Sequence, residues 1–324
     1  MNNVWFGDCR ESMKQMLAEG VRVQMCVTSP PYFGLRDYGH ECQIGLEATP
    51  GEYVATMVEV FRLVRELLAD DGVLWLNLGD TYFSTTKGTG GSNPDTSPFQ
   101  ARKGKENGQA FRPIRLSAGE MKIKPKDLIG IPWRVAFALQ ENGWYLRQDI
   151  IWHKPNPMPE SVTDRCTKAH EYMFLLSKSE RYYYDADAIR EPHAETSLAQ
   201  AKRNRFGGKY KGLDKNEHGS LKRGGHTGNP DKICTPGGRN KRSVWTIPTK
   251  PYNGAHFAVF PPALIEPCVL AGSRKGDVVI DPFFGSGTTG DVAQRLGRRW
   301  IGCELNRDYE SLQRQRTAQG SLEI

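Results

Sequence analysis

Asp277-Val278-Val279-Ile280-Asp281-Pro282-Phe283-Phe284-Gly285-Ser286-Gly287-Thr288-Thr289-Gly290 reads as a short strand, a glycine turn and the first turn of a helix. The apolar run Val278–Ile280 suits a buried strand. Glycines let a backbone bend sharply and approach a ligand closely. The glycines satisfy G-x-G-x-x-G, and Glu304 follows about twenty residues on, after the apolar run Trp300-Ile301-Gly302-Cys303. That spacing predicts an α/β sheet with a ligand at the loop, Gly285 and Gly287 giving close approach and Glu304 binding ribose hydroxyls. Pro282, Phe283, Ser286, Thr288 and Thr289 are expected on the same ligand, with Leu305 beside Glu304. A nicotinamide dinucleotide fits the glycines through its pyrophosphate, and an oxidoreductase is therefore one reading. A nucleoside that carries a cation fits the Asp281 carboxylate and the Phe283-Phe284 aromatic surface better. Asp281 also has a structural reading, as a cap on the following helix. No G-x-x-x-x-G-K-[ST] phosphate loop occurs.

Val27-Thr28-Ser29-Pro30-Pro31-Tyr32 is the second informative stretch. It follows the apolar run Val21 to Val27, a buried strand by pattern. Proline has no N–H and fixes φ, so the pair ends the strand, and it pushes Ser29 into an extended conformation. The result is a stiff turn at a strand's C-terminal edge, where ligands bind in open α/β sheets. One hydroxyl, a proline carbonyl and the Tyr32 ring can grip a flat ring that bears an amine. By itself the stretch also reads as an ordinary proline turn.

Together the two stretches resemble the amino-methylating DNA methyltransferases, over roughly residues 3–190 and 244–312. In that family an S/D/N-PP-Y/F/W motif holds the target base and an F-x-G-x-G motif holds S-adenosylmethionine. The resemblance implies an α/β, Rossmann-like methyltransferase fold with a mostly parallel sheet. The catalytic motif precedes the cofactor motif, a circularly permuted order that resembles the β group. Ser29, Pro30, Pro31 and Tyr32 are then the catalytic turn, with Thr28 at the cofactor. Asp8 matches an acidic residue that contacts the cofactor's adenine, and it is equally a helix N-cap. His256 and Phe257, in an H-x-A-x-F-P segment, match a region beside the cofactor's methionine part. Lys154-Pro155-Asn156-Pro157-Met158-Pro159 resembles a rigid wall of the target-base pocket. Serine at position 29 goes more often with cytosine N4 than with adenine N6, so cytosine is favoured. The implied partners are double-stranded DNA, a second copy in a homodimer and a cognate restriction endonuclease. The implied location is the cytoplasm of a bacterium or a phage host.

Charge supports a nucleic-acid partner. The net charge is +7, and it is concentrated in two segments. Residues 87–126 hold nine Lys/Arg against three Asp/Glu, and residues 202–242 hold twelve against three. Basic segments on an otherwise acidic body suit phosphate contact. Arg36, Lys154, Lys222, Arg223, Lys241 and Arg242 are the candidate DNA-binding cations, although Arg36 also reads as an ion pair with Asp37. A non-catalytic nucleic-acid binder fits these segments but leaves the glycine loop unexplained. Methyl transfer to RNA or to a protein amide uses similar turns. Carbon-5 methylation of cytosine needs a thiol after proline; Pro267-Cys268 is such a dipeptide, but it lies in an apolar helix and reads as structural. The seven cysteines form no C-x-x-C pair, so neither a disulfide framework nor a metal site is indicated. No signal pattern opens the chain and no apolar run reaches roughly 18 residues, which argues against a membrane role.

The remaining pattern divides the chain into a catalytic half at 1–83 and 127–189, a basic loop at 84–126, a target-recognition insertion at 190–243 and a cofactor half at 244–324. Strands are expected at Val4–Cys9, Val73–Leu78, Trp144–Trp152 and Tyr172–Ser177, and helices at 10–19, 50–69, Leu128–Asn142 and Ala263–Ala271. The helix at 50–69 should end at Asp70-Asp71-Gly72. The first strand should lie beside the strand that carries Ser29 and beside the cofactor half. The Gly/Lys/Arg-rich insertion lacks apolar periodicity and is expected to order on DNA, not to form its own core.

Overall fold

The computed structural model describes residues 2–35, 38–40, 42–83, 123–197, 199, 237–249 and 260–319. The chain divides into two compact units, Met1–Tyr184 with Ser243–Ile324, and Asp185–Arg242. The first unit holds the sheet and all the named elements below.

β1 (Asn3–Phe6) leads into α1 (Cys9–Ala18), whose first turn is capped by the Asp8 carboxylate accepting from Arg10 N. β2 (Val23–Thr28) is buried along its whole length. α2 (Pro50–Leu67) starts with a reciprocal capping box between Thr49 and Glu52 and with proline in its first turn. It buries Tyr53, Met57, Val60, Phe61, Leu63, Val64 and Leu67, with Val54 and Val58 half-buried beside them. β3 (Leu68–Leu78) begins at the next residue. Asp70-Asp71-Gly72 therefore lies inside a strand and not at a helix end. Gly72 explains why the strand can run there, since a Cβ would sit 2.9 Å from both Ala69 O and Gln24 O.

α3 (Ile131–Glu141), β4 (Tyr145–His153) and β5 (His170–Ser177) follow, then β6 (Val244–Thr246) and α4 (Pro262–Gly272). β7 (Val278–Asp281), α5 (Thr288–Arg295), β8 (Arg299–Glu304) and α6 (Glu310–Gln319) complete the unit.

The strands form one sheet in the order β1-β8-β7-β2-β3-β5-β4-β6. All neighbours are parallel except that β5 runs antiparallel to β3 and to β4. β1 is an edge strand beside β8 alone. It does not touch β2, because β7 and β8 arrive from the C-terminus and insert between them. Alternation along the strands separates two cores. Cys26, Leu74, Leu76 and Phe174 join the apolar cluster of α1, α2 and α3. Met25, Val73 and Trp75 face α4, where Gly272 leaves no room for a Cβ against Trp75 Nε1 at 2.9 Å. A sheet covered on both faces explains the nearly continuous apolar runs of its central strands.

Among the described residues no helix is long and apolar enough to cross a membrane. Among the described cysteines none is in a disulfide; Cys9, Cys26, Cys268 and Cys303 are buried and Cys42 and Cys166 exposed.

Candidate active site

β2, β7 and β8 are parallel, so their C-terminal ends and the loops after them share one edge of the sheet. A cavity of about 590 Å³ opens there. Its wall includes the turn Ser29–Tyr32 after β2 and the residues Pro282–Ser286 with Thr288 after β7. Asp8, Glu304 and Leu305 line it as well.

The glycine loop is shaped by close contacts. Gly285 and Gly287 have φ of +52° and +86°, values that favour glycine. Phe284 lies under the loop, stacked on Trp300 with ring centroids 5.0 Å apart. A Cβ on Gly290 would sit 2.7 Å from that ring, and one on Gly302 would overlap it. The third glycine of the pattern thus permits close packing of helix on strand. Glu304 Oε2 accepts from Gly285 N at 2.7 Å and Oε1 from Asn306 N at 2.8 Å. Burial pushes the Glu304 carboxyl up to about 7 in spite of these bonds.

α6 holds the same loop from outside. Gln313 Nε2 donates to Gly285 O at 2.7 Å, and the Arg316 guanidinium donates to Ser286 Oγ at 2.6 Å and Thr288 Oγ1 at 2.9 Å. Sequence reasoning missed both residues, because α6 has no apolar stripe and carries no motif.

Asp281 does not line the cavity. It is buried behind the wall, where it accepts from Thr28 Oγ1 at 2.5 Å, Thr289 Oγ1 at 2.6 Å and Phe283 N at 3.0 Å. Burial raises its carboxyl to about 6 against the lowering effect of these donors. Thr28, Gly287 and Thr289 are likewise off the wall. In this arrangement Thr28, Asp281 and Thr289 brace the loop from behind the wall. Asp8 is on the wall and caps α1. Burial raises its carboxyl, but the neighbouring Arg10 outweighs that and leaves it below the usual range.

At the catalytic turn, the Pro31 carbonyl accepts from Tyr53 Oη at 2.9 Å. The Tyr32 ring lies against the backbone of Gly79, where a Cβ would approach it to 2.5 Å. Its hydroxyl meets Glu171 Oε2 at 2.7 Å, Asn77 Oδ1 at 3.2 Å and Ser29 Oγ at 3.4 Å. Tyr32 is thus anchored at its polar end, not projecting freely as the turn alone suggests. Burial, and after it the negative Glu171, hold the phenol well above its ordinary range, so it stays protonated.

Asn77 and Glu171 line the cavity and were not singled out from sequence. The available signal was a polar residue in each of two apolar strands, Asn77 in Val73–Leu78 and Glu171 before Tyr172–Ser177. Because β5 is antiparallel, its first residues lie at the edge where the parallel strands end; Asn77 pairs with Met173 and Leu78 with Tyr172.

The expected DNA-binding cations fare differently. Lys154 lines the cavity, pairs with Glu171 and lies over the Trp152 ring. Lys241 and Arg242 face Glu191 at 3.8 and 3.4 Å within their own unit, which partly neutralises them. Arg36, Lys222, Arg223, His256 and Phe257 lie outside the described residues, as do most of the two basic segments.

Comparison with known proteins agrees with this geometry. A family model described as DNA methylase matches residues 23–315. The chain is 46% identical over 310 residues to the type II methyltransferase M.SmaI of Serratia marcescens, covering 96% of this chain and 88% of that one. It is 44% identical over 303 residues to the type II methyltransferase M.Cfr9I of Citrobacter freundii, covering 94% and 83%. Among solved structures, the cytosine-N4-specific PvuII DNA methyltransferase aligns with a TM-score of 0.58 at 20% identity, covering 97% of this chain and 85% of that one. A putative DNA modification methylase of Thermus thermophilus, complexed with S-adenosyl-L-methionine, aligns with a TM-score of 0.55 at 22% identity, covering 100% and 98%. The hydride-transfer reading of the glycine loop falls with these matches, and the chain belongs to the family of S-adenosylmethionine-dependent DNA methylases that act on exocyclic amines.

Proposed function

We propose that this enzyme methylates cytosine N4 at a specific DNA site, and that it belongs to the permuted β group. The observation that carries the reading is that the Ser29–Tyr32 turn and the Phe284–Ser286 loop line one cavity. The target base must leave the duplex stack to reach it. Its amine is weakly nucleophilic, because the lone pair is delocalised into the ring. Ser29 Oγ and the Pro30 carbonyl accept the amine's hydrogens and draw it towards a tetrahedral form. Tyr53 already occupies the Pro31 carbonyl, which agrees with Pro30 offering the acceptor. Tyr32 presents its ring to the base. The Lys154 ammonium on the same wall favours a base edge with two adjacent acceptors beyond the amine, as in cytosine N3 and O2.

The cofactor residues fit S-adenosylmethionine. Glu304 has oxygens that can still accept ribose hydroxyls, Asp8 is assigned to the adenine, and Phe283 and Leu305 offer apolar contact on the same wall. His256 and Phe257 are assigned to the methionine part. Thr28, Asp281, Gly287 and Thr289 hold the loop in place. The bound cofactor supplies a methyl group on a sulfonium that is already a good leaving group. The remaining catalysis is positioning.

Arg36, Lys222 and Arg223, with the basic segments 84–126 and 190–243, are assigned to the DNA backbone. A homodimer and a cognate restriction endonuclease are the further partners, the latter from the type II relatives. Work on genomic DNA sets the location in a bacterial or phage-host cytoplasm. Addition of S-adenosylmethionine should raise the melting temperature where NAD does not, and labelled methyl should pass to duplex DNA. Label in RNA or protein with none in DNA would overturn the reading.

A further inference from the structure

A half-buried carboxylate is wired to the catalytic turn. The Ser29 hydroxyl donates to Tyr32 Oη at 3.4 Å, and Tyr32 donates to Glu171 Oε2 at 2.7 Å. Asn77 Nδ2 steadies the same carboxylate oxygen at 3.3 Å and Tyr172 O at 3.0 Å. The other carboxylate oxygen pairs with Lys154. The Glu171 and Lys154 side chains are only 16% and 19% exposed, so the pair is held inside the pocket wall. A carboxylate in an apolar sheet costs free energy unless it is paired. Lys154 alone would satisfy that need, so the link through Tyr32 to Ser29 calls for a separate explanation. The other carboxylates near the cavity are committed elsewhere: Asp8 to Arg10, Glu304 to the loop backbone, and Asp281 to Thr28 and Thr289.

We propose that Glu171 is the terminal acceptor of the proton that the target amine loses, reached through Ser29 and Tyr32. The inference rests on the amine-methylation reading above. As the amine lone pair forms the new N–C bond, the S–C bond breaks and its electron pair leaves with sulfur. The nitrogen becomes cationic and acidic. Its N–H bond then breaks and the electron pair stays on nitrogen, restoring a neutral methylated amine. The proton passes to Ser29 Oγ, the serine proton to Tyr32 Oη, and the tyrosine proton to Glu171 Oε2. Glu171 ends as a carboxylic acid and returns the proton to solvent between turnovers. The 3.4 Å contact is long, as catalytic hydrogen bonds often are before substrate binds. Tyr32 can serve as the middle member because a hydroxyl both donates and accepts.

Two substitutions isolate this role. In Glu171→Gln the amide oxygen still accepts from Tyr32 but cannot hold a proton, so a purely structural role would survive. Tyr32→Phe keeps the ring but cuts the wire. The measurement is single-turnover methyl transfer to duplex DNA, with cofactor and DNA affinity and melting temperature as controls for folding. Both variants should slow the transfer tenfold or more while both affinities stay within threefold of wild type. Glu171→Asp, which keeps a carboxylate, should recover a large part of the rate. Rates within threefold of wild type in both variants would overturn the inference. A loss in Tyr32→Phe alone would make the hydroxyl a positioning group, and a loss in Glu171→Gln alone would put the route elsewhere; either result overturns it. A wild-type enzyme that methylates no DNA amine would instead overturn the functional reading.

Discussion

The Thr28 hydroxyl donates to the Asp281 carboxylate at 2.5 Å, across 253 positions of sequence. That bond joins the end of β2, from which the catalytic turn springs, to the end of β7, from which the cofactor loop springs. Thr289 and Phe283 N complete the carboxylate's shell from the loop side. One buried side chain therefore adds a tie between the loops assigned to the base and to the cofactor, beside the β2–β7 pairing itself. Thr28→Val keeps the shape and removes the donor. It should cost about 1–3 kcal/mol, the usual penalty for stripping a partner from a buried polar group. Cofactor affinity and methylation rate should fall together. Urea unfolding, calorimetry and single-turnover rates check this; unchanged stability would mean that the tie contributes nothing.

Asp281 and Glu304 make the free enzyme sensitive to pH. Their folded carboxyls titrate near 6 and 7, above their ordinary 3.8 and 4.5. Both bind protons more tightly when folded, so their contribution to stability is complete below about pH 4 and is lost as pH rises through 6 and 7. For Asp281 the loss is about 3 kcal/mol. In the proposed ribose contact Glu304 accepts as a carboxylate, so binding runs the other way. Affinity for S-adenosylmethionine should rise roughly tenfold from pH 6 to pH 8, the ratio of ionised fractions for a group that titrates near 7. Calorimetry at the two pH values measures it, and Glu304→Gln should bind weakly with a flat pH profile.

Most of the sheet and both loops were legible because their residues carry local rules. β-branched runs mark β7, the proline pair ends β2, and the glycines open the cofactor loop. What stayed hidden depended on contacts between distant segments. β1 lies beside the cofactor half as expected, but its separation from β2 could not be read because insertion of β7 and β8 between them is a property of the whole sheet. The bond from Thr28 to Asp281 was hidden because nothing local links two residues 253 positions apart. The pairing of Lys154 with Glu171 was hidden because the two are seventeen residues apart in sequence and only the β4–β5 pairing brings them together. Gln313 and Arg316 sit on a helix with no apolar stripe to announce it.

The α6 clamp predicts a cofactor effect from outside the cavity. Arg316→Ala removes the bonds to Ser286 and Thr288. At about 0.5–1.5 kcal/mol per net hydrogen bond, affinity for S-adenosylmethionine should fall severalfold. Hydrogen exchange in residues 285–288 should speed up while the strands keep their protection. Equal affinity with unchanged exchange would show that the loop holds its shape without the helix.

Cys268 provides the control for mechanism. It is buried in α4, with Sγ donating to Leu264 O at 3.3 Å. Transfer to an exocyclic amine uses no thiol. Cys268→Ala should therefore keep the single-turnover rate within twofold and lose about 1 kcal/mol of stability for the vacated volume. A folded but inactive variant would point to carbon-5 chemistry.

The most direct measurement is mass spectrometry of nucleosides from duplex DNA incubated with the enzyme and methyl-labelled S-adenosylmethionine. The account predicts label in N4-methylcytosine, at one sequence context. Label in N6-methyladenine or 5-methylcytosine, or none in DNA, would contradict it.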